Sequence, residues 1–340
     1  MKNKILVTGG SGYIGSHTIV DLIHNGYEVV SADSHLRSAA TQLDGVHKIT
    51  GEAIKNYVVD ICDKQKTRQI FIENPDIVGV IHFAALKSVG ESVHEPMLYY
   101  RNNMDSLLNV LDCLVEFDVP YFIFSSSCSV YGNTTELPVT EATPLQKAES
   151  PYGHTKQMGE GIIEHFSRKH TKQQFVLLRY FNPAGAHESG LIGEVSWGKP
   201  IYLTPMIMET AKGNILQLTV FGTDYPTRDG SCVRDFIHIM DLADAHTKCM
   251  DYLTAKKNET NCEVFNVGIG QGVTVLEALN AFKNTTKQPL NYSLGQRRAG
   301  DVVAIYSDYT KAKEKLGWQP KYSIEDIMRS AWQFEQNRNL

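Results

Sequence analysis

Residues 4–15 read Lys4-Ile-Leu-Val-Thr8-Gly9-Gly10-Ser11-Gly12-Tyr13-Ile14-Gly15. A strand-like apolar run passes through Gly9-x-x-Gly12-x-x-Gly15 into a helical pattern. In that setting the glycines permit a sharp turn, close approach of backbone to a pyrophosphate, and tight packing of helix on strand. The pyrophosphate would rest on the helix N-terminus around Tyr13 and Ile14, where free N–H groups and the helix dipole favour anions. The stretch therefore predicts a dinucleotide site at the start of a βαβ unit.

The rest of the first half agrees. Runs at 5–7, 28–30, 57–59, 78–81, 121–124 and 175–179 are β-branched or aromatic, with helical patterns at 15–25, 64–73, 98–117 and 152–170. Near-continuous apolar strands suit a parallel sheet covered on both faces. The expected fold is α/β: a Rossmann-type doubly wound parallel sheet over 1–180, with ligand at the carboxyl ends of its strands. After Phe181 glycine and proline become frequent, which predicts a smaller irregular C-terminal substrate lobe over 181–340. Asp235–His238 and Val264–Val267 read as strands that return to the main sheet.

Asp33 stands where the second strand ends, 18 residues after Gly15. A carboxylate there accepts from ribose hydroxyls and repels a 2′-phosphate, so NAD is expected over NADP. Arg37 points the other way, since a nearby arginine can hold that phosphate. Asp60 and Ile61 follow the third strand and could meet the adenine. Phe83-Ala84-Ala85-Leu86-Lys87 follows the fourth and allows close backbone approach beside a lysine. Asn102-Asn103 opens or lies within a helix, either facing ligand or satisfying backbone.

Downstream come Ser125-Ser126-Ser127 and then Tyr152-Gly-His-Thr-Lys156. Tyr-x-x-x-Lys alone is uninformative, but after a glycine loop and serines it completes a set for moving a proton and a hydride together. Four residues apart on a helix, Tyr152 and Lys156 share a face. The ammonium is then expected to favour ionisation of the phenol, giving a base near neutral pH.

The bulk numbers exclude other classes. Of 340 residues, 42% are hydrophobic and 21% charged, ordinary for a globular enzyme. Net charge is 33 − 38 = −5, which suggests no nucleic-acid footprint. Six cysteines without C-x-x-C spacing predict neither zinc nor a disulfide framework, but reduced thiols in a cytoplasmic protein. No leader or membrane span is legible.

TGGSGYIGSH, VIHFAALKSVGESV, SSSCSVYG, SPYGHTK, RYFNPAGAH, VFGTDYPTRDGSCVRDFIH and RRAGD together resemble the UDP-glucose 4-epimerase branch of the extended short-chain dehydrogenases/reductases, over roughly residues 5–301. The resemblance implies that Gly9, Gly12, Gly15 and Asp33 hold NAD, with Tyr13, Ile14, Asp60, Ile61, Phe83, Ala84, Lys87, Asn102 and Ser125 in its shell. It implies Ser127, Tyr152 and Lys156 as the catalytic set, and Phe181 beside the nicotinamide. Asn182, Arg234, Arg298 and Asp301 would bind a UDP-hexose together with Lys87, Ser127 and Tyr152, and Leu203 and Phe221 would enclose the uridine. Arginine forks suit the anionic diphosphate. The implied assembly is a homodimer through the helices near 98–117 and 152–170, whose apolar positions could equally be monomer core.

Three positions depart from that pattern. Ser34-His-Leu-Arg-Ser38 replaces Asn-Leu-Ser-Asn-Ser, Tyr202 stands where asparagine is frequent, and Ile305 stands where branches carry either tyrosine or a small residue. Isoleucine, stiff at χ1, is expected to crowd an acetamido group beside sugar carbon 2. A UDP-N-acetylglucosamine 4-epimerase or another NAD-dependent nucleotide-sugar enzyme is the rival reading. A 4,6-dehydratase would carry Asp-Glu after its catalytic serine or threonine, where this chain has Cys128-Ser129. A non-catalytic NAD-binding regulator would be expected to lack the Tyr-Lys pair.

Overall fold

The computed structural model describes residues 2–198, 200–298 and 301–338. In chain order the first half runs β1 (Lys4–Thr8), α1 (Tyr13–His24), β2 (Glu28–Ala32), α2 (Thr41–Thr50), β3 (Lys55–Tyr57), α3 (Lys64–Glu73), β4 (Ile77–His82), α4 (Val89–His94), α5 (Pro96–Glu116), β5 (Tyr121–Ser127), a 3₁₀ turn (Cys128–Tyr131), α6 (Pro151–Lys169) and β6 (Gln174–Tyr180). The second half runs β7 (Asn182–Ala184), α7 (Leu203–Ala211), β8 (Leu218–Phe221), β9 (Val233–Arg234), β10 (Phe236–His238), α8 (Ile239–Thr254), β11 (Cys262–Val267), β12 (Val273–Thr274), α9 (Val275–Thr286), β13 (Tyr292–Gly295), β14 (Ala304–Ile305), α10 (Thr310–Leu316) and α11 (Ile324–Arg338).

Seven parallel strands form one sheet in the order β11-β6-β5-β4-β1-β2-β3. The order reverses between β1 and β4, the crevice where doubly wound sheets bind ligands. Alternation along the strands builds a core on each face. Ile5 and Val7 join α1, α2 and α8 through Ile19, Val46 and Leu242. Leu6 joins α3, α5 and α6 through Phe71, Leu107 and Ile163. The expected fold class is therefore the observed one.

Two strand expectations need correction. β3 ends at Tyr57, and Val58 is 66% exposed, because this short edge strand leaves the sheet before the apolar run is complete. Residues 235–238 do not rejoin the main sheet. The chain breaks direction at Phe181, and β10 pairs in parallel with the displaced β7 (Phe236 with Asn182) in its own two-stranded sheet. Residues 264–267 do return, as part of β11 beside β6. In the C-terminal part, β12-β9-β14 and β13-β8 form two small sheets. A separate core there joins Ile207, Phe236, Phe282, Ile327 and Met328.

Five buried histidines make the fold acid-sensitive. Burial lowers the pKa of His17 and His82 to about 3, of His238 and His246 to about 4, and lowers that of His187 as well. Unfolded histidines titrate near pH 6.5, so between about pH 6.5 and pH 4 the unfolded chain binds protons that the folded chain refuses. Stability is full above that window and falls as pH drops through it. Burial also raises Asp241, to about 6, and Asp21, Glu141 and Asp235, which work in the opposite direction and offset part of that loss. Urea unfolding at pH 7 and pH 5 should show a loss on the order of 5 kcal/mol; equal stabilities would mean that these rings charge within the fold.

Candidate active site

A cleft of ≈ 460 Å³ opens at the carboxyl ends of the central strands. Its floor is the turn between β1 and α1. Gly9 has φ +73°, and its carbonyl accepts from the Gly12 amide at 3.0 Å. A Cβ at Gly15 would stand 2.3 Å from the Gly9 oxygen, and one at Gly10 would stand 2.2 Å from Ser31 Oγ. Only glycine fits this close packing. Gly12 caps α1 with no side-chain acceptor, so the first-turn amides face the cleft free.

Asp33 follows β2 on one wall. Its carboxylate accepts from the Ser11 amide (3.1 Å), the His35 amide (2.9 Å) and Ser38 Oγ (2.6 Å). Arg37 lines the same wall but forks onto Glu91, at 2.5 and 2.7 Å, and Tyr99 donates to that carboxylate at 2.6 Å. The guanidinium pulls the Glu91 carboxyl down to about 2. Arg37 is thus already engaged, which weakens its reading as a phosphate holder. Asp60, Ile61, Phe83, Ala84, Lys87 and Asn102 complete the lining. The two asparagines divide their work. Asn102 faces the cleft, while Asn103 binds Leu86 through both its amide (2.8 Å) and its carbonyl (3.0 Å), and donates to Thr155 at 3.0 Å.

The far end carries the proton-handling groups. Ser150 Oγ accepts from the Gly153 amide at 3.1 Å, and Pro151 opens the helix, so α6 starts one residue before Tyr152. Tyr152 and Lys156 both line the cleft with Ser125. Lys156 Nζ donates to the Ser125 carbonyl at 2.6 Å and lies 5.9 Å from the Tyr152 ring centre. Ser127 Oγ accepts from the Ser129 amide at 3.2 Å.

The titration of this pair differs from the expectation. Burial raises the phenol of Tyr152, opposed by the Ser127 hydroxyl and the Lys87 ammonium; Lys156 does not figure among its causes. Burial also lowers Lys156 to about 8, while Glu160 pulls it upward. The ammonium is turned to a backbone carbonyl, so the phenol meets desolvation first.

The remaining residues lie outside the cleft lining. Phe181 is buried with Val130, Tyr131, Val139 and Ile305. Asn182 opens β7, with its Oδ1 buried and unpaired. Arg234 on β9 donates to the Val233 and Val302 carbonyls and pairs in register with Ile305. Arg298 forks onto Asp301 at 3.2 and 2.8 Å and stacks 5.4 Å from the Phe221 ring centre. Leu203 is the first residue of α7. The structure thus brings together Phe221, Arg298 and Asp301, and separately Arg234 and Ile305. Lys199 and residues 299–300 lie outside the described residues.

Tyr180 was not foreseen in the sequence. It lines the cleft with a buried, unpaired hydroxyl, hidden in the strand run before Phe181. Glu194 also lines the cleft and pairs with Lys87 at 3.3 Å, and Tyr202 donates to the Lys87 carbonyl at 3.2 Å. The glycine floor, the free amides, the Asp33 acceptor and the unpaired Ser11 and Tyr180 hydroxyls fit a dinucleotide.

Comparisons with known proteins agree with this geometry. A family model described as GDP-mannose 4,6 dehydratase matches residues 6–331. The chain is 43% identical over 331 residues to the UDP-glucose 4-epimerase of Bacillus subtilis, covering 97% of this chain and 96% of that one. It is similar to the crystal structure of UDP-glucose 4-epimerase from Bifidobacterium longum in complex with NAD+ and UDP (TM-score 0.94, 41% identity, 99% of each chain). A UDP-glucose 4-epimerase from Stenotrophomonas maltophila, with bound NAD and formylated UDP-arabinopyranose, gives TM-score 0.95 and 38% identity, over 100% of this chain and 99% of that one.

Asp33→Ala removes the ribose acceptor and the charge facing a 2′-phosphate. It should weaken NAD binding by about tenfold or more, the scale of one charge-assisted hydrogen bond, and narrow the preference over NADP. Titrating both nucleotides into the variant decides it; unchanged preference would reduce Asp33 to a turn residue.

Proposed function

The chain belongs to the family that the GDP-mannose 4,6 dehydratase model describes and, within it, to the UDP-glucose 4-epimerases, and from that membership we propose that it interconverts UDP-galactose and UDP-glucose with bound NAD. The observation that carries the reading is the meeting of Tyr152, Lys156 and Ser125 with the glycine floor and Asp33 in one cleft. Galactose metabolism is the corresponding context.

Bound NAD supplies a hydride acceptor at sugar carbon 4 and then the hydride donor to the opposite face. Tyr152 as phenolate takes the proton of the 4-hydroxyl and later returns it, so no net proton or electron is consumed. Ser127 orients the sugar oxygen. Lys156 holds positive charge beside the phenolate as it forms. Arg234 and Arg298 take the diphosphate, Arg298 leaving Asp301 to do so, and Asn182 offers its unpaired Oδ1 as an acceptor to a sugar hydroxyl. Phe221 and Leu203 flank the uridine. Anchoring at the diphosphate leaves the hexose free to present either face. Ile305, 6% exposed within an apolar cluster, favours plain hexoses over N-acetylated ones.

The assembly we propose is a homodimer in the cytosol, where the six free thiols would stay reduced. Leu98, Leu108 and Val115 on α5 are exposed, and Met158, Ile162 and Phe166 on α6 line an open apolar groove. Sedimentation at micromolar concentration should give twice the 38.0 kDa chain mass, and charged substitutions at Leu108 and Ile162 should return it to one. A wild-type monomer would remove the proposal.

Tyr152→Phe keeps the packing and loses the proton acceptor. Turnover of UDP-galactose should fall by about 10²–10⁴-fold, the usual contribution of a positioned base, with NAD still bound. The product assay should include UDP-glucose and both N-acetylated sugars. Wild-type protein that leaves UDP-galactose unchanged, or a folded variant with normal rates, overturns the reading.

A further inference from the structure

Beneath the cleft lies a buried polar network that the proposed reaction does not use. Glu160 follows Lys156 by one helical turn and is itself 6% exposed. Its carboxylate accepts from Arg179 Nε at 2.9 Å and Nη2 at 2.6 Å, and from Ser126 Oγ at 2.5 Å. Ser126 and Arg179 are register partners on β5 and β6. Arg179 Nη1 reaches Tyr131 Oη at 3.1 Å, and Tyr131 donates to Asn266 on β11 at 2.6 Å. One carboxylate thereby joins α6, which carries Tyr152 and Lys156, to β5, which carries Ser125 and Ser127.

The charges around Lys156 are sparse. Tyr152 and Glu160 share its helix, His82 faces it from β4, and Tyr180 and Arg179 lie on β6. Burial holds His82, Tyr152 and Tyr180 in their neutral forms near pH 7. Glu160 pulls the Lys156 ammonium upward against burial, and the Arg179 fork on the same carboxylate offsets part of that pull. A buried cation without such a partner loses its proton more readily.

We propose that Glu160 is a positioning residue that seats α6, and with it Tyr152 and Lys156, against the serine-bearing end of β5. The Arg179 fork fixes the carboxylate and neutralises its far side, so the helix can bury a charge one turn below the cleft. Arg179 and Ser126 are positioning residues of the same kind, acting through Glu160. This inference rests on the proposed epimerase reading for its kinetic arm, and on the network alone for its spectroscopic arm.

The test compares wild type, Glu160→Asp, Glu160→Gln and the double variant Glu160→Gln/Arg179→Gln. Glu160→Gln strands a buried guanidinium and can fail to fold; the double variant removes both charges together, so neither is left buried alone. Titration of ¹³Cε-labelled lysine by NMR reads Lys156 directly, identified by its absence in Lys156→Met. In the double variant Lys156 should titrate below wild type, because α6 is no longer held where the Ser125 carbonyl accepts from its ammonium. The alkaline limb of kcat/KM for UDP-galactose should move down with it. Glu160→Asp, which keeps the charge, should stay near wild type in both. A folded double variant with Lys156 titrating as in wild type overturns the inference, as does a Glu160→Asp variant whose Lys156 shifts as far as in the double variant. Loss of wild-type epimerase activity would overturn the reaction assignment and leave the NMR arm intact.

Discussion

Lys156 Nζ meets the Ser125 carbonyl at 2.6 Å, with the lysine 5% exposed. Much else in the molecule answers to this contact. It pins the second turn of α6 to the end of β5, so a helix residue and a strand residue share one wall of the cleft. β5 lies between β4 and β6 near the middle of the parallel sheet, where neighbours on both sides hold it rigid. A flexible amine buried at such a place has few ways to move. It can therefore present charge beside Tyr152 without the reorganisation that a solvated lysine would undergo.

The opposite wall is built by exclusion of atoms. The Gly9 oxygen lies where a Gly15 Cβ would be, and Ser31 Oγ lies where a Gly10 Cβ would be. β1, β2 and α1 close on one another because those atoms are missing. The helix N-terminus then stands open at the reversal of strand order, with Asp33 on the adjoining strand end. The two walls are made by opposite means, yet both depend on the two-faced core beneath them. Residues such as Ile5 and Leu6 bury on alternate faces, and each face carries its own helices.

The sequence made the first wall legible because its constraint is local. A strand, three spaced glycines and an acid at the next strand end are all visible without knowing any contact. α5 and α6 were also legible, since their apolar spacing is a local signal. The departures have equally physical causes. The run Tyr57-Val-Val59 has strand composition, but an edge strand needs few residues and Val58 faces solvent. Strand propensity at Phe236–His238 was right, but pairing depends on where the partner goes, and β7 leaves the sheet after Phe181. Glu160 and Arg179 were hidden because a charge inside an apolar pattern looks like an error until its partner, 19 residues away, is seen. Arg37 was read for its sign alone; its engagement by Glu91 across 54 residues is a tertiary fact.

Burial acts on Tyr152 and Lys156 in the same sense. It raises the phenol and lowers the amine, so both groups are pushed toward neutrality. A site made only of these two would therefore be least charged when empty of water, which is the reverse of what a phenolate base needs. The surrounding residues correct this unequally. Ser127 and Lys87 oppose the rise at the phenol, while Glu160 opposes the fall at the amine. Burial of Tyr152 and Lys156 makes a correction stronger than it would be in water, because a low dielectric amplifies charge and dipole alike. The arrangement thus separates two tasks. Desolvation supplies the strength of every interaction in the cleft, and a few fixed charges decide its direction. Ordinary protein burial becomes a catalytic environment at this point because Glu160 is tied through Ser126 and Arg179 to the central strands β5 and β6.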